Sequence, residues 1–169
     1  GEDGTTYTTL GAPSQMRIEE SGPQRTVVRA SGEYRSKDGR ALFTYTVRIH
    51  AYAGQPFLRL QYTFGYHHGE NEFASIRSLA LKLNLAAKGT HGSLGESAPV
   101  RFDATDSLAL RQLYDDRYTT SNGERGTHAA GSAEWSGEGR RVTLAVRDFW
   151  QNYPKGLKVS SSGIELDLC

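Results

Sequence analysis

Residues 41–53 read ALFTYTVRIHAYA, and the alternation within this stretch decides the fold class. Successive side chains of an extended strand point to opposite faces of a sheet, so residues two apart share a face. One set is Phe43, Tyr45, Val47, Ile49 and Ala51, and the other is Leu42, Thr44, Thr46, Arg48 and His50. The sequence therefore predicts a long strand whose first set of side chains faces a core.

The stretch that follows predicts a hairpin partner for this strand. After a turn at residues 54–56, residues 56–68 read PFLRLQYTFGYHH and alternate in the same way. The apolar set of this stretch is Leu58, Leu60, Tyr62 and Phe64. Two alternating runs joined by a short Gly- and Pro-containing turn are typical of an antiparallel pair.

Further strands are predicted along the rest of the chain. Residues 75–87, SIRSLALKLNLAA, carry a leucine at every second position from Leu79 to Leu85. This strict alternation outweighs the weak helix preference of leucine. Shorter strands are predicted at residues 15–20, 25–34, 100–103, 107–114, 133–136, 141–147, 157–160 and 164–168.

Glycine placement and the lack of helical spacing complete the prediction of fold class. The 19 glycines fall mostly between apolar runs, as expected for frequent turns between short strands. A single helical turn is predicted at residues 148–153, where Pro154 would end it. We therefore predict an all-β fold, an antiparallel two-sheet β-sandwich of supersandwich-like form with at most one or two short helical turns.

Length and composition restrict the organisation and the partners. The 169 residues suit a single domain, residues 1–169, which we expect to be a piece of a larger protein. The 20 Lys and Arg residues nearly balance 19 Asp and Glu residues, so no domain-wide field favours nucleic acid or an anionic membrane. Cys169 is the only cysteine, which excludes an intrachain disulfide. No apolar run is long enough to span a membrane, and any export signal is expected upstream.

The most unusual local composition is RDFWQNYPKGL at residues 147–157. Aromatic rings stack on the C–H faces of sugars, and cationic side chains bind carboxylates. Trp150 and Tyr153 with Arg147 and Lys155 are therefore candidates for recognising an acidic saccharide. The alternative is a structural corner in which Phe149 and Trp150 fill the sandwich and Arg147 pairs with Asp148.

Two histidines form a second candidate site within GYHHGENEF, residues 65–73. Adjacent residues of a strand point to opposite faces, so His67 and His68 are not expected to bind one metal ion. One of them, oriented by Glu70 or Glu72, would suit proton transfer near neutral pH. The alternative is an exposed, polar end of a hairpin.

A third polar cluster lies at QLYDDRYTT, residues 112–120. Asp115 and Asp116 would bind calcium or pair with Arg117, and a solvated turn is the simpler interpretation because no oxygen-rich calcium loop follows. We expect no metal site and no cofactor, with calcium left open. The loop-like residues 119–131 are a further place where a ligand would be met.

Three stretches resemble the central β-sandwich domain of exo-rhamnogalacturonan lyase-like proteins. They are VVRASGEYRSKDGRALFTYTVRIHAYAGQPFLRLQYTF (27–64), LRQLYDDRY (110–118) and VTLAVRDFWQNYPKGLKV (142–159). The resemblance implies flanking domains in the parent protein, an N-terminal β-barrel and a C-terminal α/α toroid. It also implies eliminative cleavage of rhamnogalacturonan, a pectin backbone, by a secreted or periplasmic protein.

The resemblance leaves open what this domain contributes. Catalytic residues on the toroid would lie outside the chain, so the isolated domain is expected to be inactive while the parent acts as a polysaccharide lyase. A convincing pair of facing carboxylates, which hydrolysis would need, is not found. The alternatives are a non-catalytic carbohydrate-binding module and a structural spacer that braces a catalytic domain through an apolar patch.

Overall fold

The computed structural model describes residues 4–66, 75–102 and 106–169. Within these ranges the chain forms fifteen strands and no helix, and every strand pairing is antiparallel, which confirms the predicted all-β class. The strands are β1 (Tyr7–Thr8), β2 (Gln15–Ser21), β3 (Arg25–Ser36), β4 (Ala41–Tyr52), β5 (Leu58–Tyr66), β6 (Ala80–Asn84), β7 (His91–Leu94), β8 (Val100–Arg101), β9 (Ser107–Tyr114), β10 (Arg117–Thr120), β11 (Arg125–Gly126), β12 (Ser132–Gly137), β13 (Arg140–Ala145), β14 (Lys155–Ser160) and β15 (Gly163–Asp167).

The chain divides into two compact units, residues 1–76 and 77–169, called unit 1 and unit 2 below. The single domain expected from the sequence stays a prediction. The part of the chain that the structure describes contains no helix of the length and apolar character needed to cross a membrane.

Unit 1 is one sheet built around two long hairpins. Strand β4 pairs with β3 on one side and with β5 on the other, and both β1 and β2 pair with the outer edge of β3. The register places Phe43 beside Tyr34 and Tyr66, so the alternating sets predicted for residues 41–64 do share faces across the sheet.

The apolar face of unit 1 is covered unevenly. At one end Phe43 and Tyr45 are buried, and ring contacts link Phe43 to Tyr7, Phe64 and Tyr66. The other end is aliphatic and exposed, where four side chains retain about half or more of their accessible surface. They are Met16 (70%), Ile18 (65%), Leu58 (62%) and Leu60 (49%). The sequence placed Leu58 and Leu60 on the correct face, but nothing among the described residues buries them.

Unit 2 is a sandwich of two sheets. One has the strand order β11-β10-β9-β14-β15-β6, and the other has the order β13-β12-β7-β8. Trp135 of the second sheet is 1% exposed and belongs to one apolar cluster with Leu157 and Val159 of the first. Gly89 faces Trp135 so closely that a Cβ would lie 2.1 Å from the indole Nε1, which leaves room only for glycine.

The sequence missed four short strands, β1, β7, β10 and β11. Strand β7 contains glycine and β11 is only two residues long, so neither shows the alternation that predicts a strand. The predicted loop at residues 119–131 begins within β10 and contains β11. Both of these strands are held by cross-strand pairing that the local sequence does not reveal.

Candidate functional site

The segment from Val146 to Pro154 connects β13 to β14 and carries three of the four predicted saccharide-contacting residues, with Lys155 opening β14. It is a turn rather than a helix: the amide N of Asn152 donates to the carbonyl O of Asp148 at 3.2 Å, and Asn152 Nδ2 donates to the same oxygen at 2.8 Å. Phe149 anchors the turn, since it is 2% exposed and belongs to the unit 2 core. A Cβ on Gly131 would lie 2.2 Å from the Cβ of Phe149, so glycine permits this anchoring.

Anchoring by Phe149 leaves the neighbouring side chains at the surface. The side chain of Arg147 is 86% exposed, and its Nε lies 3.3 Å from a carboxylate oxygen of Asp148. Lys155 Nζ donates to the carbonyl O of Asn152 at 2.9 Å. Burial lowers the pKa of Lys155, and the charge of Asp148 acts in the opposite direction. The structural alternative therefore holds for Phe149 and for the Arg147 ion pair, while Arg147 stays exposed and Lys155 is partly buried.

The two predicted stacking residues each contact an aromatic ring from another part of unit 2. The ring of Trp150 lies 4.0 Å from the ring of His128, centroid to centroid, at an interplanar angle of 38°. Tyr153 is 45% exposed, and its ring lies 6.5 Å from that of Tyr114. The guanidinium carbon of Arg117 sits 4.6 Å from the centroid of the Tyr114 ring.

His128, Tyr114 and Arg117 thus join the four predicted residues along one edge of unit 2. Sequence reasoning assigned His128 no role, because Trp150, whose ring it contacts, lies 22 positions away along the chain. Tyr114 and Arg117 lie in the polar cluster at residues 112–120, for which the sequence analysis considered calcium binding or a local Asp–Arg ion pair instead of saccharide contact. In the described ranges, no group of three or more His, Cys, Asp or Glu side chains is placed to hold a metal ion.

A buried glutamine fixes the position of this edge. Gln112 has no exposed surface, and its Nε2 donates to the carbonyl oxygens of Tyr114 at 2.6 Å and Thr127 at 2.7 Å. Its Oε1 accepts from the amide N of Ala129 at 2.9 Å. One side chain therefore ties the segment that carries Tyr114 to the segment that carries His128. The sequence offered no signal for this role, since Gln112 lies within an ordinary strand pattern.

A small cleft opens beside His128. It measures about 280 Å³ and is lined by Glu96, Tyr118 and Glu124 among others. Two carboxylates in the lining make this cleft unsuitable for an anion, whereas Arg147 and Lys155 suit one. The edge therefore has an acidic part and a cationic part.

The histidine pair predicted for proton transfer lies outside the described residues. His67, His68 and their proposed partners Glu70 and Glu72 fall within residues 67–74, so their role stays a prediction.

Part of the chain matches a known protein family. Residues 3–92, more than half of the chain, match the family described as "PcRGLX-like protein central beta sandwich domain". No curated protein matches the chain significantly, and neither does any solved structure. The matched range contains all of unit 1 from residue 3 onwards and the first part of unit 2, and the segment at residues 147–155 lies outside it.

Fold and comparison together define the class of the molecule. It is an antiparallel β-sandwich protein with an aromatic and cationic edge on its second unit. The chain belongs to the PcRGLX-like central β-sandwich family, which makes it a domain of a rhamnogalacturonan lyase-like protein.

Proposed function

We propose that this chain is the central domain of a polysaccharide lyase that cleaves rhamnogalacturonan by β-elimination, and that the edge of unit 2 contacts the acidic saccharide. The observation that carries the proposal is the family membership over residues 3–92. The proposal includes a secreted or periplasmic location and a parent protein whose other domains complete the catalytic centre. It assigns neither a cofactor nor a metal to this domain.

The chemistry of elimination explains why cations on this edge would matter. Removing the proton next to a uronate carboxylate requires that the carboxylate charge be neutralised, that a base accept the proton, and that an acid protonate the leaving oxygen. Arg147 offers a planar guanidinium that pairs with a carboxylate through two parallel hydrogen bonds. Lys155 uses one N–H on Asn152 and keeps two for a ligand.

The aromatic side chains would supply affinity and orientation. Tyr153 presents an exposed ring, and the ring of Trp150 packs against that of His128. A pre-oriented ring loses little conformational entropy when a sugar stacks on it. His67 or His68 remains our proposal for a proton-transfer group.

The test uses the parent protein with Trp150→Ala and, separately, Arg147→Gln. Each change is expected to lower kcat/KM on rhamnogalacturonan at least tenfold, measured as the ultraviolet absorbance of the unsaturated product. Phe57→Ala is the matched control, because Phe57 is an exposed ring that contacts the ring of Tyr52 in unit 1. Wild-type rates in both variants, with folding verified by circular dichroism, would refute the role of this edge.

Calorimetry on the 169-residue chain, together with an activity assay on the parent protein, distinguishes a binding module from a lyase domain. A non-catalytic module is expected to bind acidic oligosaccharides in a parent protein that forms no unsaturated product. Product formation by the parent supports the lyase instead, whether or not the isolated domain binds.

The exposed aliphatic end of unit 1 favours a second, structural role. The family description calls the domain central, and we infer that neighbouring domains of the parent protein pack against it. We propose that a neighbouring domain of the parent protein covers Met16, Ile18, Leu58 and Leu60. Leu58→Asn should then change the free energy of unfolding by less than about 0.5 kcal/mol in the 169-residue chain. In the parent protein the same substitution should lower the free energy of unfolding by about 2 kcal/mol. Equal losses in the two proteins would contradict coverage of this face by a neighbouring domain.

A further inference from the structure

The polar face of the unit 1 sheet carries a row of arginines that the saccharide edge of unit 2 does not use. The register aligns Arg17 of β2 with Arg29 of β3, Arg29 with Arg48 of β4, and Arg48 with Gln61 of β5. Neighbouring strands lie about 5 Å apart, so three guanidinium-bearing side chains follow one another straight across the sheet. We call the row formed by Arg17, Arg29, Arg48 and Gln61 the arginine ladder.

A bulge in β2 supplies the carboxylate of the ladder. The pairing of β2 with β3 shifts between Ile18 and Glu20, so Glu19 is an extra residue on its strand. Bulges re-aim side chains, and here Glu19 reaches the polar face. Its oxygens lie 2.6 Å from Arg48 Nε, 3.2 Å from Arg17 Nη2 and 4.0 Å from Arg29 Nε.

One carboxylate does not neutralise three guanidiniums. The other two carboxylates of β2 and β3 are already engaged, Glu20 by Arg25 through two hydrogen bonds and Glu33 by Arg35. Arg59 lies on the same face and has no ion-pair partner in the described ranges. The face therefore carries a surplus of positive charge, although the whole chain has a formal net charge of only +1.

The ladder is poorly explained as a device for stability. Like charges directly opposite each other on neighbouring strands are destabilising, and surface ion pairs contribute little. Arg29 Nε and both ring nitrogens of His50 also lack hydrogen-bond partners, although each atom is shielded from solvent. The guanidinium side chains themselves are accessible, with 54% of Arg17, 26% of Arg29 and 33% of Arg48 exposed.

We propose that the arginine ladder binds a linear saccharide whose carboxylates follow one another across the strands. Guanidinium forks recognise carboxylates bidentately, and a row of them selects a ligand with repeated negative charge over one with a single charge. Glu19 holds the arginines in place while the ligand is absent and competes with the ligand for them. The inference relies on the proposed function for the saccharide nature of the ligand, and on the ladder alone for its charge and direction.

The test titrates the 169-residue chain with oligogalacturonate, using a neutral oligosaccharide of the same length as a reference ligand. Arg48→Gln should weaken oligogalacturonate binding about tenfold, because a bidentate charged contact is lost. Glu19→Gln should strengthen it about threefold, because the internal competitor is removed. Arg40→Gln is the matched control, since it also breaks an exposed arginine ion pair, with Asp38 at 3.1 Å, but lies outside the ladder.

Opposite effects of Arg48→Gln and Glu19→Gln support the ladder, because a merely structural role would move both variants in the same direction. The ladder is overturned if neither substitution changes the affinity for oligogalacturonate. It is also overturned if the unmodified chain binds oligogalacturonate no better than the neutral ligand. Trp150→Ala separates the two surfaces: loss of all binding in that variant places the ligand on unit 2 and also overturns the ladder. Product formation by the parent protein tests the lyase proposal independently.

Discussion

The two units share an alternating sequence pattern, but they cover its apolar face differently. In unit 2 two sheets face each other, so inward side chains such as Leu157 and Val159 are almost wholly buried. In unit 1 a single sheet presents an apolar face that is packed with rings at one end and open at Leu58 and Leu60 at the other. Alternation therefore predicts which side chains share a face, but it does not predict what covers that face.

The largest expected difference between the units concerns truncation of an apolar side chain. Trp135→Ala in unit 2 should lower the free energy of unfolding by about 4 kcal/mol, because a fully buried indole is removed from a dry core. Leu60→Ala in unit 1 should cost less than about 1 kcal/mol, because half of that side chain is already exposed. Urea denaturation followed by circular dichroism measures both.

Fluorescence assigns each unfolding transition to its unit. Both tryptophans, Trp135 and Trp150, belong to unit 2, so indole emission reports that unit alone. Trp150 remains as the reporter in Trp135→Ala. Equal costs for the two truncations would show that the open face of unit 1 is buried in solution, and the contrast between the units would fail.

A smaller effect is expected from the buried glutamine. Gln112→Leu should cost about 3 kcal/mol, because the carbonyl oxygens of Tyr114 and Thr127 and the amide of Ala129 lose their partner. Gln61→Leu on the exposed polar face of unit 1 is the matched control and should stay within about 0.5 kcal/mol of wild type. The same urea titration compares them, and a Gln112 variant as stable as the Gln61 variant would contradict the role of Gln112 as a tie between segments.

The sequence predicted the strands well where one face is apolar over many residues. The predicted ends of strands β2, β3, β4, β5 and β9 all lie within two residues of the observed ends. Strands β10 and β11 were not predicted because pairing with a neighbour, rather than alternation, stabilises them. Predicting short strands of this kind requires knowledge of which strands are neighbours in the sheet.

The candidate site was predictable only in its contiguous part. Arg147, Trp150, Tyr153 and Lys155 lie together in sequence, and their composition made them candidates whose role stays a prediction. His128 and Gln112 act through contacts across the fold, and no local pattern marks them. The arginine ladder was missed for a related reason, since its members come from separate strands and depend on register.

The smallest expected effect concerns the acid sensitivity of unit 1. Hydrogen bonding from Arg48, reinforced by Arg17, lowers the pKa of Glu19 below its ordinary value of 4.5. A carboxyl group whose pKa is lower in the folded state stabilises the fold above its unfolded pKa, and this contribution disappears as the pH falls through the folded pKa. Wild type should therefore be more stable than Glu19→Gln at neutral pH, and the difference should vanish well below pH 4.5.

Urea titrations at several pH values, followed by far-ultraviolet circular dichroism, measure that convergence, since unit 1 contains no tryptophan. Added salt should reduce the difference at neutral pH, because the pair is partly exposed and therefore screened. A difference that persists unchanged in acid would mean that the carboxylate of Glu19 does not act through its charge. The arginines would then have no internal counter-ion to exchange for a ligand, and the competition that links stability to binding on this face would be absent.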